Sequence, residues 1–197
     1  MDMLPIRRAV LSVTDKSGLD GFARFLQDSG VELVSTGGTR KKLLQEGLKV
    51  RSVSDVTGFP EILGGRVKTL HPHMHAGILA DKDDPVHMRT LKDLHLEPFD
   101  LVCVNLYNFA EAVRQALEDR SAVEQIDIGG PTMLRAAAKN FHSVAVIPDP
   151  SHYAECMQEM RAGDGCLSLA FRRRMAGLTF ALTSDYDRMI AAYLNRS

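Results

Sequence analysis

Cysteine is scarce in this chain: Cys103, Cys156 and Cys166 are its three, an odd number without any Cys-x-x-Cys pattern. Such spacing excludes a disulfide framework and a zinc ribbon, and leaves inert thiols in a reducing cytoplasm. Long apolar runs are missing too, and no stretch approaches the roughly 18 residues that a membrane span needs. The N-terminal "MDMLPIRRAVLSV" holds two arginines and only a short apolar run before "TDKSG", so it reads as a first strand and not as a secretory leader. An excess of charge is absent as well, with 24 Lys and Arg against 25 Asp and Glu for a net charge of -1. No global field then draws the protein to nucleic acid or to an acidic membrane, and any anion must be caught by a local site.

What is present is a 197-residue chain, 45% hydrophobic, long enough for one well-buried core. The apolar segments 9–13, 31–35, 48–53, 100–106 and 143–148 are short and rich in β-branched residues, as buried strands are. Between them, Leu19, Phe22, Phe25 and Leu26, then Leu43 and Leu44, then Met88, Leu91 and Leu94 recur at helical spacing. Alternation of this kind predicts an α/β fold of three layers, a mostly parallel sheet with helices on both faces. Residues 1–150 form that expected core. Residues 151–197 read as a C-terminal helical extension, in which Phe171, Met175, Leu178, Leu182 and Tyr186 share one helix face; it is expected to buttress the domain or to form an oligomer contact, and nothing in it suggests chemistry.

In parallel sheets ligands bind outside the carboxyl ends of the strands, so the strand-to-helix turns carry the interest. "SVTDKSGL" offers Ser12 and Lys16, although a plain capped helix start explains it equally. "STGGT" places Ser35, Gly37, Gly38 and Thr39 at the mouth of a helix, where bare backbone N–H groups and hydroxyls suit a phosphate. The Gly spacing and the terminal Gly-Lys-Ser/Thr of a Walker A loop are absent, which argues against a nucleoside triphosphate.

The segment "GFPEILGGRVKTLHPHMHAGIL" crowds Arg66, Lys68, Thr69, His71, His73 and His75 between glycines and prolines. Its histidines invite a metal, but no Cys or paired carboxylate stands at ligand spacing and Pro72 denies them a zincin helix; no metal is expected. "NLYNF" sets Asn105 and Tyr107 at a strand end, with Tyr107 either an oxyanion donor or an interfacial aromatic. "EQIDIGGPTMLRAAAKN" puts Asp127 before Gly129, Gly130 and Pro131, with Arg135 and Lys139 four apart on the following helix. Asp127 and Lys139 read either as an ordinary ion pair or as an acid–base couple.

Taken in order, these motifs resemble the IMP cyclohydrolase domain of the bifunctional purine biosynthesis protein, which has a methylglyoxal synthase-like fold. The resemblance covers nearly the whole chain, and "GGRVKTLHP" with "IDIGGPT" and "RAAAKN" carries most of its specificity. It implies ring closure of 5-formamidoimidazole-4-carboxamide ribonucleotide (FAICAR) to inosine monophosphate, with no metal or organic cofactor. The formyltransferase half of the family's chain has no counterpart here, so a natural single-function protein or a shortened piece is expected, a separate formyltransferase partner is conceivable, and the family's pairing of subunits implies a homodimer. The chain departs from the family at Asn108, where proline is common, and swaps hydroxyl residues at Thr14 and Ser17.

The resemblance further implies that Lys68, Tyr107, Asp127 and Lys139 surround the reacting atoms. It assigns Ser12, Lys16, Ser35, Gly37, Gly38 and Thr39 to the ribose phosphate, and Arg66, Thr69, Asn105 and Gly129 to substrate positioning. Matching residue types to tasks, Lys68 and Tyr107 donate to the oxyanion, and Asp127 is base or base-orienter with Lys139 as its relay. Two rivals remain at this level: methylglyoxal synthase-like chemistry on a triose phosphate, and a non-catalytic module that binds a nucleotide as a signal.

Overall fold

The structure, a computed structural model, describes residues 1–107, 109–114 and 119–196. The chain begins with β1 (Met3–Pro5) and β2 (Arg8–Ser12), then α1 (Leu19–Asp28), β3 (Glu32–Ser35), α2 (Gly37–Gln45), β4 (Arg51–Ser52) and α3 (Val53–Thr57). It continues through α4 (Pro72–Leu79), α5 (Pro85–Asp93), β5 (Leu101–Val104), α6 (Phe109–Arg114), α7 (Asp119–Val123) and α8 (Gly129–Lys139). The last elements are β6 (Ala145–Ile147), α9 (Tyr153–Ala162), β7 (Cys166–Ser168) and α10 (Leu169–Leu194).

Five strands form one parallel sheet in the order β4-β3-β2-β5-β6, with Val10 paired to Val34 on one side and to Val102 on the other. The expected α/β class holds, with helices flanking the sheet. Central strands β2 and β5 are buried throughout apart from Ser12, as near-continuous apolar runs in parallel sheets are. The order reverses direction around β2, so the turns after β2, β3 and β5 open side by side at the carboxyl edge.

Two expectations are corrected. The segment 48–53 contributes only Arg51 and Ser52 to the sheet, because Ser52 closes a capping box with Asp55 and turns the chain into α3 at Val53. A second, antiparallel pair, β1 with β7, was not foreseen in the helical extension; each strand has three residues, too few for a period-two pattern. Among the described residues no helix is long and apolar enough to cross a membrane.

Arg172, the first large polar side chain of α10, is fully buried. Its guanidinium donates to the carbonyls of Leu167, Phe141, His142, Met1 and Asp2, so one fork joins the N-terminus, the end of α8 and the start of α10. Removing it strands several buried acceptors at once. We therefore expect Arg172→Leu to lose about 3 kcal/mol or more, or about 6–12 °C in Tm at roughly 2–4 °C per kcal/mol. Thermal circular dichroism measures this, and a shift of only a degree or two would show that the fork holds nothing together.

Candidate active site

The turns at the carboxyl edge enclose a cleft of about 700 Å³ lined by Ser12, Lys16, Gly37, Gly38, Thr39, Arg66, Lys68, Thr69, Asn105, Tyr107, Asp127 and Gly129. Twelve of the fourteen residues singled out from sequence thus meet in one place; Ser35 and Lys139 do not. At one end of the cleft stands the first turn of α2. Its N-cap Thr36 makes no side-chain cap bond, and Gly37 takes a positive φ of 49°, so the N–H groups of this turn face the cleft without an intrahelical partner. An anion is the natural ligand of such a turn.

Several residues expected to grip substrate also build the loops. Ser35 is fully buried, ties β3 to β2 by donating to the carbonyl of Leu11 at 2.6 Å, and borders a neighbouring cavity of about 600 Å³. Thr39 donates to Val13 O at 2.9 Å and accepts from Val13 N–H at 3.0 Å. Asn105 holds the loop after β2: Oδ1 accepts from the N–H groups of Thr14 and Asp15, and Nδ2 donates to Asp15 O. These residues position Lys16, whose ammonium rests on the carbonyls of Val13 and Thr14 at 3.5 and 3.2 Å. Sequence reading did not supply these bonds, and the reason is physical: a buried hydroxyl or amide beside a turn must find a partner, and the backbone is nearest.

At the other end lies Asp127, at the entry to α8. Its Oδ1 accepts from Gly130 N–H at 2.8 Å, and a Cβ on Gly130 would stand 2.3 Å from Oδ2, so only glycine admits the carboxylate there. Gly129 is required for a similar reason: a Cβ on it would lie 2.7 Å from Thr69 Oγ1. Lys68 connects the two ends, for its Nζ reaches to 4.0 Å from a Cβ position on Gly37 while its charge acts on Asp127. Tyr107 is half exposed at the rim. Arg66 is ion-paired across the mouth with Glu124, a partner that sequence reading did not supply.

Lys139 stands outside this cleft. It is exposed at the far end of the 11-residue α8, about 15 Å along the axis from the turn that holds Asp127. The couple of Asp127 with Lys139 within one chain is not formed. The rest of "RAAAKN" is explained by packing: Ala136, Ala137 and Ala138 are buried, Arg135 lies over the Phe180 ring, and Asn140 donates to the carbonyls of Ile78 and Ala80 at the end of α4. In "HPHMH", His71 accepts from His73 N–H as the cap of α4, and Met74 is core. Among the described residues no group of three or more His, Cys, Asp or Glu could hold a metal ion. Asn108, the departure noted in "NLYNF", lies outside the described residues.

Burial holds the Asp127 carboxyl above its ordinary 3.8, outweighing the N–H groups of Gly130 and Gly129 and the charge of Lys68, which pull it down. A raised carboxyl in the folded state binds protons that the unfolded chain has released, so this group costs stability as pH rises through the interval above 3.8. Asp127→Asn keeps an acceptor for Gly130 and abolishes that cost. Its stability relative to the parent should therefore increase between about pH 4 and about pH 7 in urea titrations. A relative loss over that range would mean that pairing, not burial, governs the carboxyl.

A family model described as "MGS-like domain" matches residues 18–132, more than half of the chain, and one described as "AICARFT/IMPCHase bienzyme" matches residues 137–197. The "Bifunctional purine biosynthesis protein PurH" of Mesorhizobium japonicum is 50% identical over 192 residues, covering 98% of this chain and 36% of the relative. The protein of the same name from Acidithiobacillus ferrooxidans is 52% identical over 193 residues, covering 96% of this chain and 37% of its own. The chain thus spans little more than a third of the length of these relatives. A crystal structure of ForH superimposes with a TM-score of 0.84 at 33% identity, covering 94% of this chain and 95% of that one. The parallel sheet, the cleft at its carboxyl edge and these matches agree, and the chain belongs to the MGS-like domain family.

Proposed function

We propose that this chain is an IMP cyclohydrolase, closing FAICAR to inosine monophosphate with loss of water. The observation that supports it most is the polarity of the cleft: an anion-binding helix start at one end, and a carboxylate, an ammonium and a phenol around the other, in a chain about half identical to the PurH relatives. The first turn of α2 with Ser12 and Lys16 takes the ribose phosphate. That remote grip orients a substrate whose carboxamide nitrogen is a poor nucleophile, its lone pair being delocalised. The nitrogen attacks the formyl carbon, Asp127 accepts the amide proton, and negative charge develops on the formyl oxygen. Lys68 and Tyr107 donate to that oxygen, and the N-terminus of α8 at Gly129 adds partial positive charge. That oxygen takes one proton from Lys68 or Tyr107 and a second from Asp127. The C–O bond then breaks with release of water as the former formamide nitrogen forms the C=N bond. That nitrogen returns its N–H proton to the Lys68 or Tyr107 that gave one, which leaves the purine ring aromatic. The reaction uses no oxidant, metal or organic cofactor.

We further propose that two copies associate. Lys139 stands too far from its own cleft to act there, so any part it plays in the reaction falls in the cleft of a second copy. Phe59, Leu63 and Ile128, at 46, 69 and 59% exposure, give the cleft region the apolar surface that a second copy would cover. A separate formyltransferase supplying FAICAR is consistent with this scheme, and the free thiols of Cys103, Cys156 and Cys166 suit the cytoplasm.

Two measurements test this reading. Incubation with FAICAR should produce the purine absorbance, while a triose phosphate should yield no product; binding of inosine monophosphate without turnover would instead favour a sensing module. Lys68→Ala should lower kcat by at least about tenfold, whereas Lys16→Ala should raise KM with a much smaller effect on kcat, the signature of uniform binding. For assembly, mixing Lys139→Ala with Asp127→Asn should restore activity that neither has alone. No recovery, with monomers in light scattering, would remove Lys139 and the dimer from the scheme.

A further inference from the structure

The backbone N–H of Asp127 donates to the phenol oxygen of Tyr186, on α10, at 2.8 Å. Sequence reading gave this helix no part in the chemistry, because Tyr186 falls on the same stripe as Phe171 and Met175 and reads as core. It is indeed buried, at 5% exposure. Its surroundings, however, are not the main core. Tyr186 joins Phe109, Ala122 and Tyr193 in a small separate apolar cluster, with Leu106, Ile126, Met189 and Ile190 packed against it. Through Leu106, Phe109, Ala122 and Ile126 this cluster underlies the positions beside Tyr107, Glu124 and Asp127, which line the cleft.

A phenol buried in such a cluster is costly unless its oxygen is bonded, and phenylalanine would fill the same volume without that cost. The bond it makes falls on the N–H of Asp127, whose half-buried carboxylate lines the cleft beside Lys68. Asp127 is then held at two points: its backbone by Tyr186 on α10, its Oδ1 by Gly130 N–H on α8. Two fixed points set the direction of a short side chain and keep water from its buried side. The charged and titratable groups that act on the pair are Lys68 on Asp127, and Asp187 and Tyr107 on Tyr186.

We propose that Tyr186 is a positioning residue for Asp127, through which the C-terminal helix sets the orientation and desolvation of the carboxylate. Its effect on turnover rests on the cyclohydrolase reading, whereas its effect on the carboxyl does not. The test compares Tyr186→Phe with Tyr193→Phe, which strips a hydroxyl from the same cluster, one bonded to Asp119 and not to the site. With FAICAR as substrate, Tyr186→Phe should fold normally, keep KM within about twofold and lose about tenfold in kcat. The acidic limb of kcat/KM should move toward the ordinary carboxylate range as water reaches Asp127. Tyr193→Phe should change neither. Independently, the Asp127 carboxyl, titrated by carbon-13 NMR, should fall in pKa in Tyr186→Phe alone. An unchanged carboxyl titration, or equal effects in both variants, overturns the proposal. Absence of turnover in the parent protein overturns only the cyclohydrolase reading, and the titration then decides the role of Tyr186.

Discussion

The carboxamide of Asn105 is the tie on which the cleft depends. Standing just after β5, it takes two N–H groups and one carbonyl from the loop after β2, so the ends of the two central strands are joined beyond the last ladder bond. A parallel sheet brings its turns near one another, but nothing in the ladder itself fixes their mutual height or tilt. Asn105 does so from one side and Thr39, bonded twice to Val13, from the other. Lys16 stands on the loop thus clamped. The position of its ammonium follows from bonds that no substrate takes part in.

This arrangement shows how far the sequence was legible. The strand runs, the α/β class and the meeting of the polar turns at one edge follow from periodicity and topology, which are properties of short segments. Membership of the cleft was legible for the same reason. The division of labour within it was not. Ser35 and Thr39 were expected at the phosphate and Asn105 in substrate positioning, yet each is buried and bonded to the backbone of a neighbouring strand end, and burial is a tertiary property that the motif does not state. Lys139 differs: spacing placed it on the helix that follows Asp127, but the length of α8 carries it about 15 Å from that turn. Tyr186 was hidden by a helical stripe that gave a sufficient reason for its presence.

Two helix starts face each other across the cleft, α2 at Gly37 and α8 at Gly129. Both begin with paired glycines, for different reasons. At α2 a positive φ turns bare N–H groups outward, and at α8 the missing Cβ atoms make room for the Asp127 carboxylate and the Thr69 hydroxyl. One end is open backbone, the other a crowded pocket built around a half-buried carboxylate.

The bridge between Arg66 and Glu124 gives the mouth of this cleft an occupant of its own. Arg66 meets Glu124 through Nε and one terminal nitrogen, and its guanidinium has further N–H groups beyond that pair. Both side chains are exposed, so the pair holds weakly and costs little to rearrange. The mouth therefore carries a charge whose partner is exchangeable, unlike the loops behind it, whose buried bonds are fixed.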